Sequence, residues 1–209
     1  MSFGLVKHNN NSISAITTPG NLTQGKMTLI KEQTASSSSS ISFVDGSSSV
    51  VLDSTYPIYV FKFINIHPAT DNVKLTINFS TDSGSNYNVT KTTTIFRAFH
   101  KENGSSSNLN YETGSDLAQS TSGANLSLEL GNGSDESCSG TLHLFNISST
   151  SSVKHFVSNF NTYQYGSITM HHVAGGYGNT TSAIDGVQFA MNSGDIDSGT
   201  IKLYGIKGS

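Results

Sequence analysis

The feature that most constrains this chain is the alternation of apolar and polar residues in many short runs. The clearest run lies between residues 73 and 79, where Val73, Leu75, Ile77 and Phe79 alternate with polar residues. Residues i and i+2 of a β-strand lie on the same face of the sheet, so this pattern predicts strands with one core-facing side. No window of a dozen residues carries a convincing helical period of 3.6 residues, which predicts an all-β fold.

Runs of this kind correspond to about ten strands, and turns rich in Gly, Ser, Asn and Asp separate them. The last two runs are expected to form a hairpin, and residues 101–124 a long surface excursion anchored by Leu109, Tyr111 and Leu117. The turns differ greatly in length, which favours a single jelly-roll-like antiparallel β-sandwich. The runs cover residues 27–31, 40–44, 50–52, 58–66, 73–79, 94–99, 126–130, 142–145, 153–157, 168–170, 184–191 and 200–206.

The run at residues 58–66 is nearly continuous in apolar side chains. Such a run is typical of a central strand covered on both faces, or of a strand that borders an interface. Pro57 and Pro68 lie at the positions where a strand tolerates proline. We therefore expect this strand to be a candidate for contact with another subunit.

The first 25 residues differ from the rest because their apolar side chains are too few and too scattered to form an element of their own. We interpret residues 1–25 as an attachment arm that becomes ordered on a partner subunit, and residues 26–209 as the sandwich domain. A frayed terminus without a function is the alternative. The side chains expected to contact the partner are Phe3, Leu5, Val6, Ile13, Ile16 and Leu22.

The overall charge argues against several classes of partner. Charged residues make up 12% of the chain, the net charge is −3, and no run of Lys or Arg exceeds two residues. A nucleic-acid-binding protein needs a basic face to neutralise phosphates, so neither nucleic acid nor a membrane surface is expected as a partner. The sequence has no recognisable signal peptide, which predicts synthesis in a cytoplasm without secretion.

No pattern of chemically active side chains predicts catalysis, a cofactor or a metal. His171 and His172 are adjacent, so on a strand they point to opposite faces. His143 and His155 lie in neighbouring predicted strands and could meet across a sheet, but no carboxylate accompanies them at ligand spacing. The segment 195–197 lacks the remaining ligands of a calcium loop and is interpreted as a surface turn. The single Cys138 is expected to be a small side chain at the start of a strand.

Several segments of the sequence resemble those of a family of uncharacterised virion structural proteins of marine cyanobacterial phages. They are residues 63–71, 80–87, 153–156, 176–181 and 193–206, and the likeness spans about residues 27–207. The resemblance implies a β-sandwich located in a virion, and it implies no catalytic or binding residue. The expected function is that of a non-enzymatic subunit, either a capsid decoration protein or a head, neck or tail appendage attached by its N-terminal arm.

The expected partners are other virion proteins and further copies of the chain, with a trimer favoured. The alternative is a receptor- or glycan-binding tip module of a tail fibre, which would present aromatic side chains in loops to a host surface glycan. An enzyme such as a polysaccharide depolymerase is the weakest alternative, because no pair of carboxylates stands out. The side chains considered for glycan contact are Tyr111, Tyr163, Tyr165 and Tyr177.

Overall fold

A computed structural model describes residues 27–164 and 166–208, and these residues form an all-β antiparallel sandwich. No helix of the described part is long and apolar enough to cross a membrane. The strands are β1 (Met27–Ser38), β2 (Ile41–Val44), β3 (Ile58–Pro68), β4 (Leu75–Ser80), β5 (Lys91–Lys101), β6 (Ser107–Tyr111), β7 (Ala124–Asn125), β8 (Cys138–Phe145), β9 (Lys154–Gln164), β10 (Ile168–Gly178), β11 (Gly186–Met191) and β12 (Ile196–Ile206).

The two sheets are unequal in size. The larger has eight strands in the order β1-β12-β3-β8-β9-β10-β5-β6, and the smaller has four in the order β2-β11-β4-β7. From β2 onwards the chain passes repeatedly between the sheets, and the smaller sheet takes single strands while the larger takes one to three at a time. This alternation between two antiparallel sheets gives the sandwich its jelly-roll-like character and confirms the predicted fold class.

The core lies between the inner faces of the two sheets and is centred on aromatic rings. Phe189 of β11 contacts Phe43, Phe61 and Phe63 with ring centroids 6.3, 5.0 and 4.9 Å apart. These four side chains are at most 2% exposed. Edge-to-face contacts of this kind add to the free energy gained by burying the rings. The aromatic cluster therefore holds the small sheet on the middle of the large one.

The predicted hairpin at the end of the chain is wrong. β11 belongs to the small sheet, between β2 and β4, whereas β12 belongs to the large sheet, between β1 and β3. The segment that joins them therefore crosses from one sheet to the other. The predicted turn at 195–197 is also wrong, because Ile196 begins β12 and is fully buried. Alternation shows which side chains face a core, but it does not show which strands pair.

The long excursion predicted for residues 101–124 is only partly correct. It contains β6, which pairs with β5 and forms one edge of the large sheet. Leu109 and Tyr111 of β6 are 68% and 49% exposed, so they do not anchor the segment, whereas Leu117 packs against the main core.

Three other strand predictions also differ from the structure. Leu126, Leu128 and Leu130 are buried as predicted, but they lie in an irregular segment that follows the two-residue strand β7. Glu129 has a φ of 53° there, which interrupts a regular strand. Residues 50–52 form no strand, although Val50 and Leu52 are buried. In contrast, the weak run at 168–170 begins an eleven-residue strand.

Candidate functional site

The outer face of the eight-stranded sheet carries the exposed apolar side chains of the described part of the chain. The cross-strand pairs Leu29↔Tyr204, Phe96↔Tyr111 and Ala98↔Leu109 place these side chains on the side opposite the core. They form one group on β1 and another on β5 and β6, at opposite edges of the sheet, with Ile64 and Val157 between them. Exposed apolar groups of this kind are candidates for contact with a partner. The exposed side chains are Met27 at 38%, Leu29 at 50%, Ile64 at 43%, Phe96 at 43%, Leu109 at 68%, Tyr111 at 49% and Val157 at 47%.

The outer face of the four-stranded sheet has a different character. Its central row consists of Ser42, Gln188 and Asn78, which pair across β2, β11 and β4. These polar side chains are partly exposed, and the Gln188 amide donates to the Ser42 hydroxyl at 3.2 Å. The two faces of the sandwich therefore differ, because within the described residues the large exposed apolar side chains lie on the large sheet and not on the small one.

Strand β3, predicted to be apolar on both faces, lies inside the large sheet between β12 and β8. Tyr59, Phe61 and Phe63 point into the core, while Lys62 and Ile64 are exposed on the outer face. The strand is therefore central, as predicted. Its role in an interface stays a prediction.

A shallow trough of about 320 Å³ lies on this outer face, where β9, β10 and β5 run side by side. Tyr177 pairs with His155 on one side and with Thr92 on the other, and the next outward row is Val157, Gly175 and Thr94. The rings of His155 and Tyr177 are 6.2 Å apart. Because Gly175 has no side chain, the floor of the trough is open between these walls.

A hydrogen-bonded network of uncharged side chains forms one rim of the trough. The Gln119 amide donates to the Thr92 hydroxyl at 2.7 Å and approaches the Tyr177 hydroxyl at 3.5 Å. Asn179 donates to the Gln119 carbonyl oxygen at 2.7 Å. Gln119 has a φ of 49°, a conformation that costs free energy for a residue other than glycine. The rim is thus held in place by several contacts on an exposed surface.

The tyrosines considered for glycan contact do not form one cluster, and those that the structure describes lie in strands rather than in loops. Tyr163 and Tyr177 lie on the outer face near opposite ends of the β9–β10 pair, beside Thr169 and His155. The eight residue-to-residue steps from 169 to 177 span about 26 Å of extended chain. Tyr111 lies at the sheet edge and donates to Asp116 at 2.6 Å. Tyr165 lies outside the described residues, and only Tyr177 lines the trough.

A larger, polar cleft of about 610 Å³ brings together residues that are distant in sequence, among them His67, Asp135, Glu136 and Asp197. His67 donates through Nε2 to the Gly133 carbonyl at 3.0 Å, and its Nδ1 lies 3.6 Å from the Asp197 carboxylate. Both ring nitrogens thus face backbone or carboxylate oxygens. No hydrogen bond joins His67 to a serine hydroxyl within the described part of the chain.

A polar cluster lies on the inner face of the large sheet, at β5 and β10. Arg97 forms ion pairs with Glu112 at 2.8 Å and with Glu129 at 2.5 Å. Its neighbour across the β5–β10 pair is His172, which is fully buried and has no hydrogen-bond partner on either ring nitrogen in the described structure. Burial, and then the nearby positive charge of Arg97, lower the pKa of His172 from 6.5 to about 3. This imidazole is neutral at ordinary pH.

The other histidines and the cysteine are placed as follows. His171 is exposed and His172 buried, which confirms that the two side chains point to opposite faces. His143 and His155 share the outer face, but His143 lies opposite Val157 and stacks on Phe145, so the two rings do not pair. Cys138 begins β8, as predicted, and its burial raises the pKa of its thiol to about 12.

Two further observations complete the description of the site. Within residues 27–164 and 166–208, no three His, Cys, Asp or Glu side chains are placed to hold a metal ion. The six apolar side chains predicted to form the attachment arm, from Phe3 to Leu22, lie outside the described residues.

Sequence reasoning missed both the apolar outer face and the trough. Along β5 exposed apolar side chains alternate with buried ones, so the sequence pattern alone did not show which face of the strand is covered by the core. The one local signal for the trough was Gly175 within a strand.

Comparisons with protein-family models, with curated proteins and with solved structures found no match for this chain.

Proposed function

We propose that this protein is a non-enzymatic structural subunit that acts by packing the outer face of its eight-stranded sheet against neighbouring subunits. The observation that carries the proposal is the collection of large exposed apolar side chains on that one face, opposite a polar face on the small sheet. Interface cores are enriched in aromatic residues, and Phe96 and Tyr111 expose aromatic rings on this face.

The free energy gained by burying these apolar side chains indicates how such a subunit would assemble. Burying the exposed half of a Leu or Phe side chain contributes about 1 kcal/mol, so the seven side chains together contribute about 7 kcal/mol. Association costs roughly 4–15 kcal/mol of lost translational and rotational freedom. A single pair of faces is therefore expected to associate weakly, and stable assembly to depend on several contacts per subunit, as in a ring or lattice.

We place this subunit in a bacteriophage virion, as a capsid decoration protein or a head, neck or tail appendage. Support comes from the resemblance of residues 27–207 to virion structural proteins and from a sandwich that needs no disulfide for its core. The expected partners are other virion proteins and further copies of the chain, with the arm at residues 1–25 as an attachment point.

Sedimentation velocity of the full chain at increasing concentration, up to the millimolar range, tests the packing face. We expect concentration-dependent oligomers, and we expect the double variant Leu29→Ser/Leu109→Ser to weaken association at least about tenfold, since both side chains leave the contact. Ser42→Ala on the polar face of the small sheet is the control and should sediment like the parent. A parent that stays monomeric throughout, or a double variant that associates equally well, would refute the proposed role of this face.

Labelling of purified virions with an antibody against this chain, followed by cryo-electron microscopy, tests the location. We expect many symmetrically arranged copies on the particle. Absence of the chain from virions, together with its presence only in the lysate of infected cells, would show that the virion assignment is wrong even if the chain self-associates.

A further inference from the structure

We propose that the trough beside Tyr177 is a binding site for one or two sugar rings of a neutral glycan. This inference goes beyond the proposed structural role, because it assigns a small ligand to one part of the outer face. Val157 lines the trough, whereas the other six exposed apolar side chains, among them Leu29 and Leu109, lie outside its lining.

The fold gives no reason for a glycine at position 175. A Cβ added at this position would meet only the Phe156 carbonyl oxygen at 3.7 Å, which is ordinary contact. In contrast, a Cβ at Gly176 would approach the Thr92 carbonyl oxygen to 2.5 Å. Glycine inside a strand weakens it and often marks a place where a ligand approaches the backbone closely. The open floor at Gly175 is therefore a feature of the surface, not a requirement of packing.

The walls of the trough have the chemistry that sugar rings require. Tyr177 presents a partly exposed ring beside the exposed His155, and aromatic rings pack against the apolar faces of sugars. Hydroxyl and amide groups of Thr92, Gln119 and Asn179 lie at the rim, already fixed by mutual hydrogen bonds. Groups that both donate and accept hydrogen bonds match sugar hydroxyls, and their prior order lowers the entropy cost of binding.

The charge and the size of the trough limit the class of ligand that it can bind. The lining of the trough contains no Lys, Arg, Asp or Glu, so neither an acidic sugar nor a phosphate would find a counter-charge. A volume of about 320 Å³ lies at the lower end of the range for small-ligand sites. The trough is open along the sheet surface, so a unit inside a longer polysaccharide can occupy it as well as a terminal unit.

The test is binding of the full chain to an array of neutral and anionic oligosaccharides, followed by NMR titration with methyl glucoside, methyl galactoside and methyl mannoside. We expect binding to at least one neutral probe. Gly175→Thr fills the floor and should reduce binding at least about tenfold while the protein stays folded, because threonine favours a strand. Tyr177→Ala should have a similar effect, whereas Tyr177→Phe retains the ring and most of the binding.

The control is Thr141→Ala on β8, which lies on the same face but outside the trough and should bind like the parent. Absence of binding to every neutral probe, stronger binding to anionic probes, or unchanged binding by Gly175→Thr would each overturn the proposal. Because Leu29→Ser/Leu109→Ser leaves the trough intact, that variant should bind sugar normally. The two proposals can therefore fail independently.

Discussion

Replacement of His172 by phenylalanine is expected to remove a large part of the acid sensitivity of this protein. The imidazole is fully buried on the inner face of β10, between Arg97 and Phe160 of the neighbouring strands, and its two ring nitrogens have no partner in the described structure. In the folded chain the pKa of His172 is lowered from 6.5 to about 3, chiefly by burial. Phenylalanine has a similar shape and buries no polar atom, so it fills the site without this penalty.

The size of the change in stability with pH follows from the difference in proton binding between the folded and the unfolded chain. Between pH 6.5 and pH 3 the unfolded chain binds a proton at His172 that the folded chain does not bind, so stability rises with pH across this window and is lost as the pH falls. Between pH 7.5 and pH 5 this difference lowers the free energy of unfolding by about 2 kcal/mol. With a urea dependence of about 2 kcal/mol per molar, the unfolding midpoint falls by about 1 M.

The assay is urea unfolding followed by circular dichroism and tyrosine fluorescence at pH 7.5, 6.5, 5.5 and 5. The difference between the parent and His172→Phe isolates this one group, since every other titrating group is common to both chains. His171→Phe, on the exposed face of the same strand, is the control for the added ring and should keep the parental pH dependence because His172 is still present. If His172→Phe loses as much stability between pH 7.5 and pH 5 as the parent does, the reasoning is refuted.

Three further predictions address the core, a second buried base and the arm. Phe189→Ala removes the ring that joins Phe43, Phe61 and Phe63, and should lower the free energy of unfolding by about 3–5 kcal/mol in urea titrations, whereas a loss below 1 kcal/mol would contradict the packing described. Burial lowers the pKa of Lys91 from 10.5 to about 8, so the parent should gain stability as the pH rises from 8 to 10, and Lys91→Met should lack that gain when unfolding is compared at both pH values. Deletion of residues 1–25 leaves all described strands intact and should give a folded protein that no longer joins virions; incorporation at the parental level would show that the arm hypothesis is wrong.

The local sequence predicted most strands because alternation is a local property. β9 has the expected alternation of buried and exposed side chains along most of its length, and Cys138 begins a strand as expected. The pattern also identified Leu126, Leu128 and Leu130 as buried, although their segment is irregular. Burial requires only that an apolar side chain reach the core, and an irregular backbone can achieve that as well as a strand.

The sequence by itself determined that this chain is an all-β protein with a single core, since its segments show either the period-two pattern of a strand or the residues typical of a turn. Only the tertiary structure decided which strands pair, because β11 and β12 are neighbours in sequence yet belong to different sheets. It also decided which apolar side chains stay exposed. Phe96 and Ile95 are adjacent and both apolar, but Ile95 faces the core while Phe96 lies on the open face of the large sheet. The packing face and the trough beside Gly175 arise from strand order and register, which no short stretch of sequence specifies.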